Sequence, residues 1–315
     1  MKIGVVGAGA MGALFGARLV EAGVAEVVLL DVNKPHIEAI RKNGLLFEDG
    51  ANTRRVRIPA TTDPAEAGKV DFVIFFCKYP DSRQAIRDAQ AMLTDKTVVW
   101  TPQNGIGNVE IIAEVVPERR IAKGLTSATS IQTGPGTIKT NFQGETETFI
   151  SPVAGGENAV IAEVARLLTE AGLPTFLASD IDYRIWRKLC VNVALTVTTA
   201  AINIRIGAVG DSEYGQWLMR RIVEETVAVA NAKGIPLTFE DGYGYVQELR
   251  LKALHHIGST TGDMQNKKMT EIDAMTGAVV REGRKLGVPT PVNETLTNLM
   301  HLLEATRGER LPIAI

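Results

Sequence analysis

A glycine pattern near the start of the chain constrains its fold most. Residues 3–6 form a short apolar run that reads as a buried strand, and a helical pattern begins at about Ala10. Between them Gly7, Gly9 and Gly12 fall at the spacing G-x-G-x-x-G. Each position meets a separate requirement: a tight turn off the strand at Gly7, close approach of a pyrophosphate to the backbone at Gly9, and close packing of helix on strand at Gly12. The start of the helix then offers unpaired N–H groups to phosphate. Strand and helix flank the loop Gly7-Ala8-Gly9-Ala10-Met11-Gly12 in the required order, so it is read as a dinucleotide-binding turn.

Strand–helix alternation follows. Helices are expected over 12–22, 35–43 and 82–93, and strands over 26–30, 72–77, 97–101 and 124–130, with a polar hairpin whose second strand is 56–59. The strands are apolar throughout, as in a parallel sheet covered on both faces. Residues 132–150, rich in Gly, Thr and alternating apolar positions, suit antiparallel strands at one edge, and 158–171 suits a helix. Near Asp180 the pattern changes to long helices, expected over 183–200, 212–233, 240–254, 270–286 and 293–306. The expected fold class is α/β: an N-terminal Rossmann-type doubly wound sheet over 1–179 and an all-α C-terminal domain over 180–315. Ligands of open α/β sheets sit beyond the carboxyl ends of the strands, and a neighbouring α-domain commonly completes the cleft.

Bulk properties exclude several alternatives. The 315 residues carry a net charge of −2, so no basic field attracts nucleic acid or an anionic membrane. The apolar run after Lys2 is short and runs into the glycine turn, so no secretory leader is expected. The longest apolar stretch, 189–209, carries Asn192, Asn203 and Arg205 and reads as a core helix rather than a membrane span. Cys77 and Cys190 read as buried free thiols of a cytoplasmic protein. The four histidines show no metal-ligand spacing, and adjacent His255 and His256 would face different sides of a helix, so no metal site is expected. The apolar helical half permits a homodimer.

Several residues can carry chemistry. Asp31 closes the second strand, where a carboxylate accepts hydrogen bonds from the adenosine ribose and repels a 2′-phosphate, favouring NAD over NADP; the alternative is a turn cap before Asn33 and Pro35. Lys78 and Asn104 stand at strand carboxyl ends, where the lysine can pair with phosphate and the amide can serve a carboxamide or a substrate oxygen. Lys188, Asn192 and Thr196 fall at i, i+4 and i+8 of one expected helix. A polar stripe on a buried helix must find partners or line a cavity, since unpaired burial costs about 1–3 kcal/mol per group. Ser259, Asp263 and Glu271 form a second cluster. Glu271 is either a first-turn acid favoured by its helix or the partner that keeps Lys188 charged as a proton donor.

These residues together carry a family resemblance. The glycine turn, Lys78 after an apolar strand, Gln103-Asn104-Gly105, Trp186-x-Lys188-Leu189-x-x-Asn192, Ser259-x-x-x-Asp263 and Thr270-Glu271-Ile272-Asp273 resemble the ketopantoate reductase (2-dehydropantoate 2-reductase) family over residues 1–303. The resemblance implies a Rossmann domain, a helical domain, a site between them, and reduction of 2-dehydropantoate to pantoate with NADPH on the way to pantothenate. It further implies Lys188 as the general acid, Glu271 supporting lysine and substrate, Ser259 binding the substrate carboxylate, and Asn104 touching cofactor and substrate. Asn192 would help to hold the substrate. The chain departs from the family pattern where Thr196 and Val197 replace Asn-Pro, and where His256 and Ile206 replace pocket asparagines. Asp31 replaces the basic residue that reads NADP, and Asp81 adds a second negative charge. The altered pocket positions, Thr196, Ile206 and His256, point to a less hydroxylated 2-oxoacid as the alternative substrate. The two acids point to NAD. A non-catalytic NAD(P)-sensing module is the alternative of another class, opposed by the retention of Lys188 and Glu271.

Overall fold

The computed structural model describes residues 1–50, 52–140 and 146–309. The chain forms two compact units: Met1–Gln103 with Asn108–Ile181, and Asn104–Gly107 with the described residues of Asp182–Ile315.

The first unit contains β1 (Lys2–Val6), α1 (Ala10–Ala22), β2 (Glu26–Leu30), α2 (Lys34–Asn43), β3 (Leu45–Asp49), β4 (Asn52–Val56), β5 (Ala60–Thr61), α3 (Pro64–Ala67), β6 (Phe72–Phe75), α4 (Ser82–Asp88), β7 (Val98–Thr101), α5 (Asn108–Ala113), β8 (Ile121–Thr126), β9 (Ile131–Gly134), β10 (Thr137–Thr140), β11 (Thr148–Pro152), α6 (Ala159–Glu170) and β12 (Thr175–Leu177). Eight strands make the main sheet in the order β12-β11-β8-β7-β6-β1-β2-β5. All its pairs are parallel except β11 with β8. β1 pairs with β2 on one side and β6 on the other, so the chain reverses its direction of winding there. The switch point at the carboxyl end of β1 carries the glycine turn, where such sheets bind ligands.

Apolar strands in this sheet serve two cores at once. Ile3, Val5, Phe72, Ile74, Val98 and Trp100 pack into one layer with residues of α1 and α6. Val6, Val73, Phe75 and Val99 pack into the other, with Ile86 and Ile112. Successive side chains leave opposite faces, and both faces are covered, so the strand interiors are apolar; the buried polar residue at the end of β7, Thr101, finds a side-chain partner in Gln103. Asn158 caps α6 by accepting N–H groups from Val160 and Ile161 at 3.0 and 3.2 Å.

Several strands differ from expectation. The second hairpin strand is Asn52–Val56, not 56–59; β4 pairs with β3 from Val56 opposite Leu45 to Asn52 opposite Asp49, and the chain after it supplies β5 to the main sheet. The 132–150 region does not form one edge. β9 and β10 join β3 and β4 in a separate four-stranded sheet, β4-β3-β10-β9, whereas β11 belongs to the main sheet; residues 141–145 lie outside the described residues. The strand expected over 124–130 is Ile121–Thr126, and the short strand β12 goes unannounced in the sequence because only Thr175 of its three residues is buried.

The second unit contains α7 (Ile181–Val191), α8 (Thr198–Ile202), α9 (Glu213–Ala232), α10 (Phe239–Lys252), α11 (Ser259–Gln265), α12 (Thr276–Leu286) and α13 (Pro291–Ala305). Its core gathers Trp186, Leu189, Val193 and Val197 with Met219, Val223, Val279 and Met300. The helical stretch Ile181–Ile202 is long and apolar enough by composition to cross a membrane, but most of it is buried inside this unit, as in a core helix. Glu225 of α9, itself buried, caps α13: its carboxylate accepts the backbone N–H groups of Val292 and Asn293, both at 2.9 Å, and the Asn293 amide at 2.8 Å. Pro291 at the helix start removes one donor that would otherwise need a partner.

Candidate active site

In the first unit the glycine turn is built as the spacing requires. Gly7 adopts φ +90°, and its N–H donates to the Leu30 carbonyl at 2.9 Å. A Cβ at Gly7 would lie 2.6 Å from the Cys77 backbone N, and one at Gly12 would lie 2.1 Å from the Gly7 oxygen. At Gly9 a Cβ would meet nothing within 4 Å, so the backbone there is open to an approaching group. α1 begins at Ala10 with no acidic side chain in its first turn, so no carboxylate there competes with an anion for the first-turn N–H groups at Ala10, Met11 and Gly12. These features fit a dinucleotide pyrophosphate.

Asp31 follows β2. Its carboxylate accepts the Asn33 N–H at 2.9 Å, so it also holds the turn before α2, whose cap is Asn33. Cys77 lies beside it. Burial first, and then the Asp31 and Asp81 carboxylates, push the Cys77 thiol well above its ordinary range, which places both acids near the carboxyl end of β6. Cys77 is only partly buried, in contrast to the buried thiol expected; Cys190 is buried, and burial pushes it up to about 12.

Lys78 is held by a polar relay that sequence reasoning did not assemble. The Gln103 amide donates to the Cys77 carbonyl at 2.5 Å and to Ser82 Oγ at 2.8 Å, and its oxygen accepts from Thr101 Oγ1 at 2.8 Å. Ser82 Oγ in turn donates to the Lys78 carbonyl at 3.1 Å. Gln103 and Ser82 are buried. A polar residue directly after an apolar strand was the available signal, but its partners are distant in sequence.

In the second unit the helix that carries Lys188 is not uniform. α7 ends at Val191 and is followed by a π-helical segment, Asn192–Val197, before α8. Its wider turn breaks the expected stripe: Lys188 and Asn192 remain partly exposed, whereas Thr196 is buried. Thr199 Oγ1 donates to the carbonyls of Leu195 at 2.8 Å and Thr196 at 3.3 Å, a side-chain competition that loosens regular helical bonding. Such segments recur at functional sites.

Glu271 does not open a helix. A 3₁₀ turn, Ile272–Ala274, follows it, and α12 starts only at Thr276. The cause is the Ala274 carbonyl, which accepts the Ile106 N–H at 2.9 Å. Gly105, at φ +79°, packs so tightly on Ala274 that a Cβ would lie 2.0 Å from its oxygen. The Asn104–Gly107 turn is thereby docked beside Glu271. Glu271 is buried, and its charge acts on Lys188. Although Lys188 as a whole is partly exposed, its ammonium end is surrounded by protein, and this burial pulls it down to about 8 while the Glu271 carboxylate resists that fall.

Ser259 is exposed at the first position of α11. The preceding Gly258 lies against Thr196, with its Cβ position 3.4 Å from Thr196 Cγ2, so the Ser259 end of α11 sits over the π-helical segment. His256 is exposed in a loop, not on a helix, because α10 ends at Lys252. Its carbonyl accepts the Ile206 N–H at 3.0 Å, which makes two of the altered pocket positions direct neighbours. The second unit therefore gathers Lys188, Asn192, Thr196, Ser259, Glu271 and the Asn104 turn, while Gly7–Gly12, Asp31 and Lys78 belong to the first. The other residue missed from the sequence is His36, which lies under the glycine turn.

The family model described as ketopantoate reductase PanE/ApbA matches residues 3–154, and that for the ketopantoate reductase PanE/ApbA C terminal matches 180–304. A 2-dehydropantoate 2-reductase of Streptococcus pyogenes serotype M3 is 33% identical over 306 residues, 97% of this chain and 98% of the relative. Among solved structures, a ternary complex of D-mandelate dehydrogenase with NADH and anilino(oxo)acetate is 30% identical with a TM-score of 0.92, covering 98% of this chain and 99% of that one. A ketopantoate reductase of the PanE/ApbA family from Ralstonia eutropha JMP134 is 28% identical with a TM-score of 0.89, covering 98% and 100%.

Proposed function

Since the chain belongs to the ketopantoate reductase family and is an NAD(P)-dependent oxidoreductase acting on a 2-hydroxy acid, we propose that it reduces the C2 ketone of a 2-oxoacid with Lys188 as the proton donor. The observation that carries this reading is the Lys188 ammonium, brought by burial to about 8 with Glu271 beside it. A general acid works best when its proton affinity lies near the operating pH. When bound, the nicotinamide supplies the hydride to C2. Lys188 then delivers a proton to the C2 oxygen, and its charge stabilises that oxygen as negative charge develops on it. Glu271 keeps the lysine charged until transfer. Ser259 binds the substrate carboxylate, and Asn192 and Asn104 hold the substrate's polar atoms.

The glycine turn of domain 1–179 binds the dinucleotide, with Ala8, Ala10 and Met11 lending backbone N–H groups and Lys78 pairing with phosphate. Domain 180–315 supplies the substrate residues other than Asn104. Asp31 and Asp81 favour NADH, since each places negative charge where a 2′-phosphate would have to be accommodated. NADH in the D-mandelate dehydrogenase structures is in keeping with that preference. A cytoplasmic location accords with the biosynthetic relatives.

Ketopantoate is the substrate that the names of the sequence relatives support. A less hydroxylated 2-oxoacid is the second reading, favoured by the Thr196, Ile206 and His256 replacements and by the likeness to D-mandelate dehydrogenase. A site built to hydrogen-bond hydroxyls discriminates strongly, so losing those partners changes preference. Comparison of kcat/KM for ketopantoate and phenylglyoxylate with NADH decides between the two. Turnover of neither, nor of a panel of simple 2-oxoacids, refutes the proposed reaction.

A further inference from the structure

His36 is the one histidine of the chain buried among the described residues, and its ring bonds on both sides. It sits in the first turn of α2, well separated in sequence from the glycine turn. Nδ1 accepts the backbone N–H of Gly136 at 3.0 Å and lies 2.8 Å from the Gln132 amide nitrogen. Nε2 lies 2.9 Å from the Ala8 carbonyl oxygen. A backbone N–H can only donate and a carbonyl can only accept. The backbone partners therefore set the neutral ring with its proton on Nε2, donating to Ala8.

The consequence concerns Gly9. The Ala8–Gly9 peptide is planar and trans, with no cis bond in the described chain. The Ala8 C=O and the Gly9 N–H therefore point in opposite directions. Ala8 is buried with its carbonyl turned to His36, whereas Gly9 is partly exposed with open space around its Cβ position. We infer that His36 is a positioning residue for the cofactor loop: by pinning the Ala8 carbonyl inward, it turns the Gly9 N–H outward toward the dinucleotide phosphates, an assignment that rests on this loop being the dinucleotide site. The imidazole also ties that loop to the β9–β10 hairpin. Gly136, at φ +68°, packs so closely on α2 that its Cβ position lies 2.8 Å from Ala39 Cβ, and its carbonyl accepts the Leu46 N–H at 2.8 Å. The hairpin of the small sheet thus acts as the rear support of the phosphate loop.

Two conservative substitutions separate the two bonds. His36→Gln places an amide N–H near the Nε2 position and keeps the donor to Ala8. His36→Asn places an oxygen near the Nδ1 position and keeps the acceptor for Gly136. NADH affinity is measured directly by fluorescence titration without substrate, alongside the melting temperature. His36→Asn is expected to weaken NADH binding about tenfold, the effect of one hydrogen bond of ~1.4 kcal/mol. His36→Gln should stay within about threefold at a similar loss of melting temperature, and KM for the 2-oxoacid at saturating NADH should not move in either variant. Equal NADH affinity in the two variants, or losses that merely track melting temperature, overturns the assignment. Should His36→Asn fail to fold, histidine ¹⁵N spectra of the wild-type protein carry the test. One ring must be a neutral Nε2–H tautomer whose signals shift on adding NADH, and absence of that shift overturns the assignment. Failure of the wild type itself to bind either NADH or NADPH would refute the dinucleotide site and not only the role of His36.

Discussion

Burial and the Glu271 carboxylate pull the Lys188 proton in opposite directions, and the balance leaves the ammonium at about 8. The lysine is thus charged at neutral pH yet able to release its proton. Reduction should lose activity as pH rises through about 8, since the donor form disappears. Glu271→Gln removes the influence that holds the proton, so the alkaline limb should move to lower pH. Lys188→Ala should lower kcat by about 10²–10⁴-fold. A kcat profile whose alkaline limb is unchanged in Glu271→Gln would sink the pairing.

The same residue makes a prediction of opposite sign for stability. The folded value of Lys188 lies below its ordinary 10.5, so between about 8 and 10.5 the unfolded chain holds a proton that the folded chain has released. Stability rises with pH wherever the unfolded state binds more protons, so the Lys188 contribution becomes less unfavourable across that window. Urea midpoints of wild type and Lys188→Met across the window should converge or diverge accordingly, the wild type gaining relative to the variant as pH rises. A parallel pair of curves would refute it.

The glycines of the turn should separate folding from binding. Gly12→Ala forces a Cβ to within 2.1 Å of the Gly7 oxygen, and overpacking of this kind costs about 1–3 kcal/mol. Gly9→Ala meets no protein atom within 4 Å, so its melting temperature should stay near that of wild type while NADH affinity falls. Thermal scans paired with NADH titrations check both; normal NADH affinity in Gly9→Ala would argue against close phosphate approach there.

Asp31 should set the cofactor ratio. If Asp31 takes the ribose position proposed for it, Asp31→Asn removes a charge that would repel a 2′-phosphate, and the NADH-to-NADPH ratio of kcat/KM should fall about tenfold, the equivalent of ~1.4 kcal/mol. The Asp31 carboxylate also raises the Cys77 thiol, so the same variant should react faster with a thiol reagent at fixed pH. A wild-type preference for NADPH would overturn the reasoning.

Glu225 should be among the most sensitive positions outside the site. Glu225→Ala leaves the Val292 and Asn293 backbone N–H groups without their acceptor and the Asn293 amide with only the Ile222 carbonyl at 3.4 Å, and loss of such a charged cap should cost about 1–3 kcal/mol. Chemical denaturation should show the loss with KM values unchanged in the folded fraction.

What the sequence determined by itself was local. The glycine spacing, the apolar strands and the 3.6-residue periodicity of the second half are properties of neighbouring residues, so the two kinds of architecture and the Lys188 helix were readable, and so was the Asp31 position at a strand end. The misread elements were those whose partners lie far along the chain. β9 and β10 are weakly apolar strands that join the small sheet, β10 pairing with β3 and β9 with β10, rather than the main sheet's edge. The helix expected at Thr270 was displaced because Ile106 takes the Ala274 carbonyl. The stripe through Thr196 was bent by the π-helical segment, and His36 drew meaning only from Ala8 and Gly136 on other elements. A sequence records which residues are polar; which carbonyl or N–H each one meets depends on distant segments packing together, and tertiary structure alone decided that.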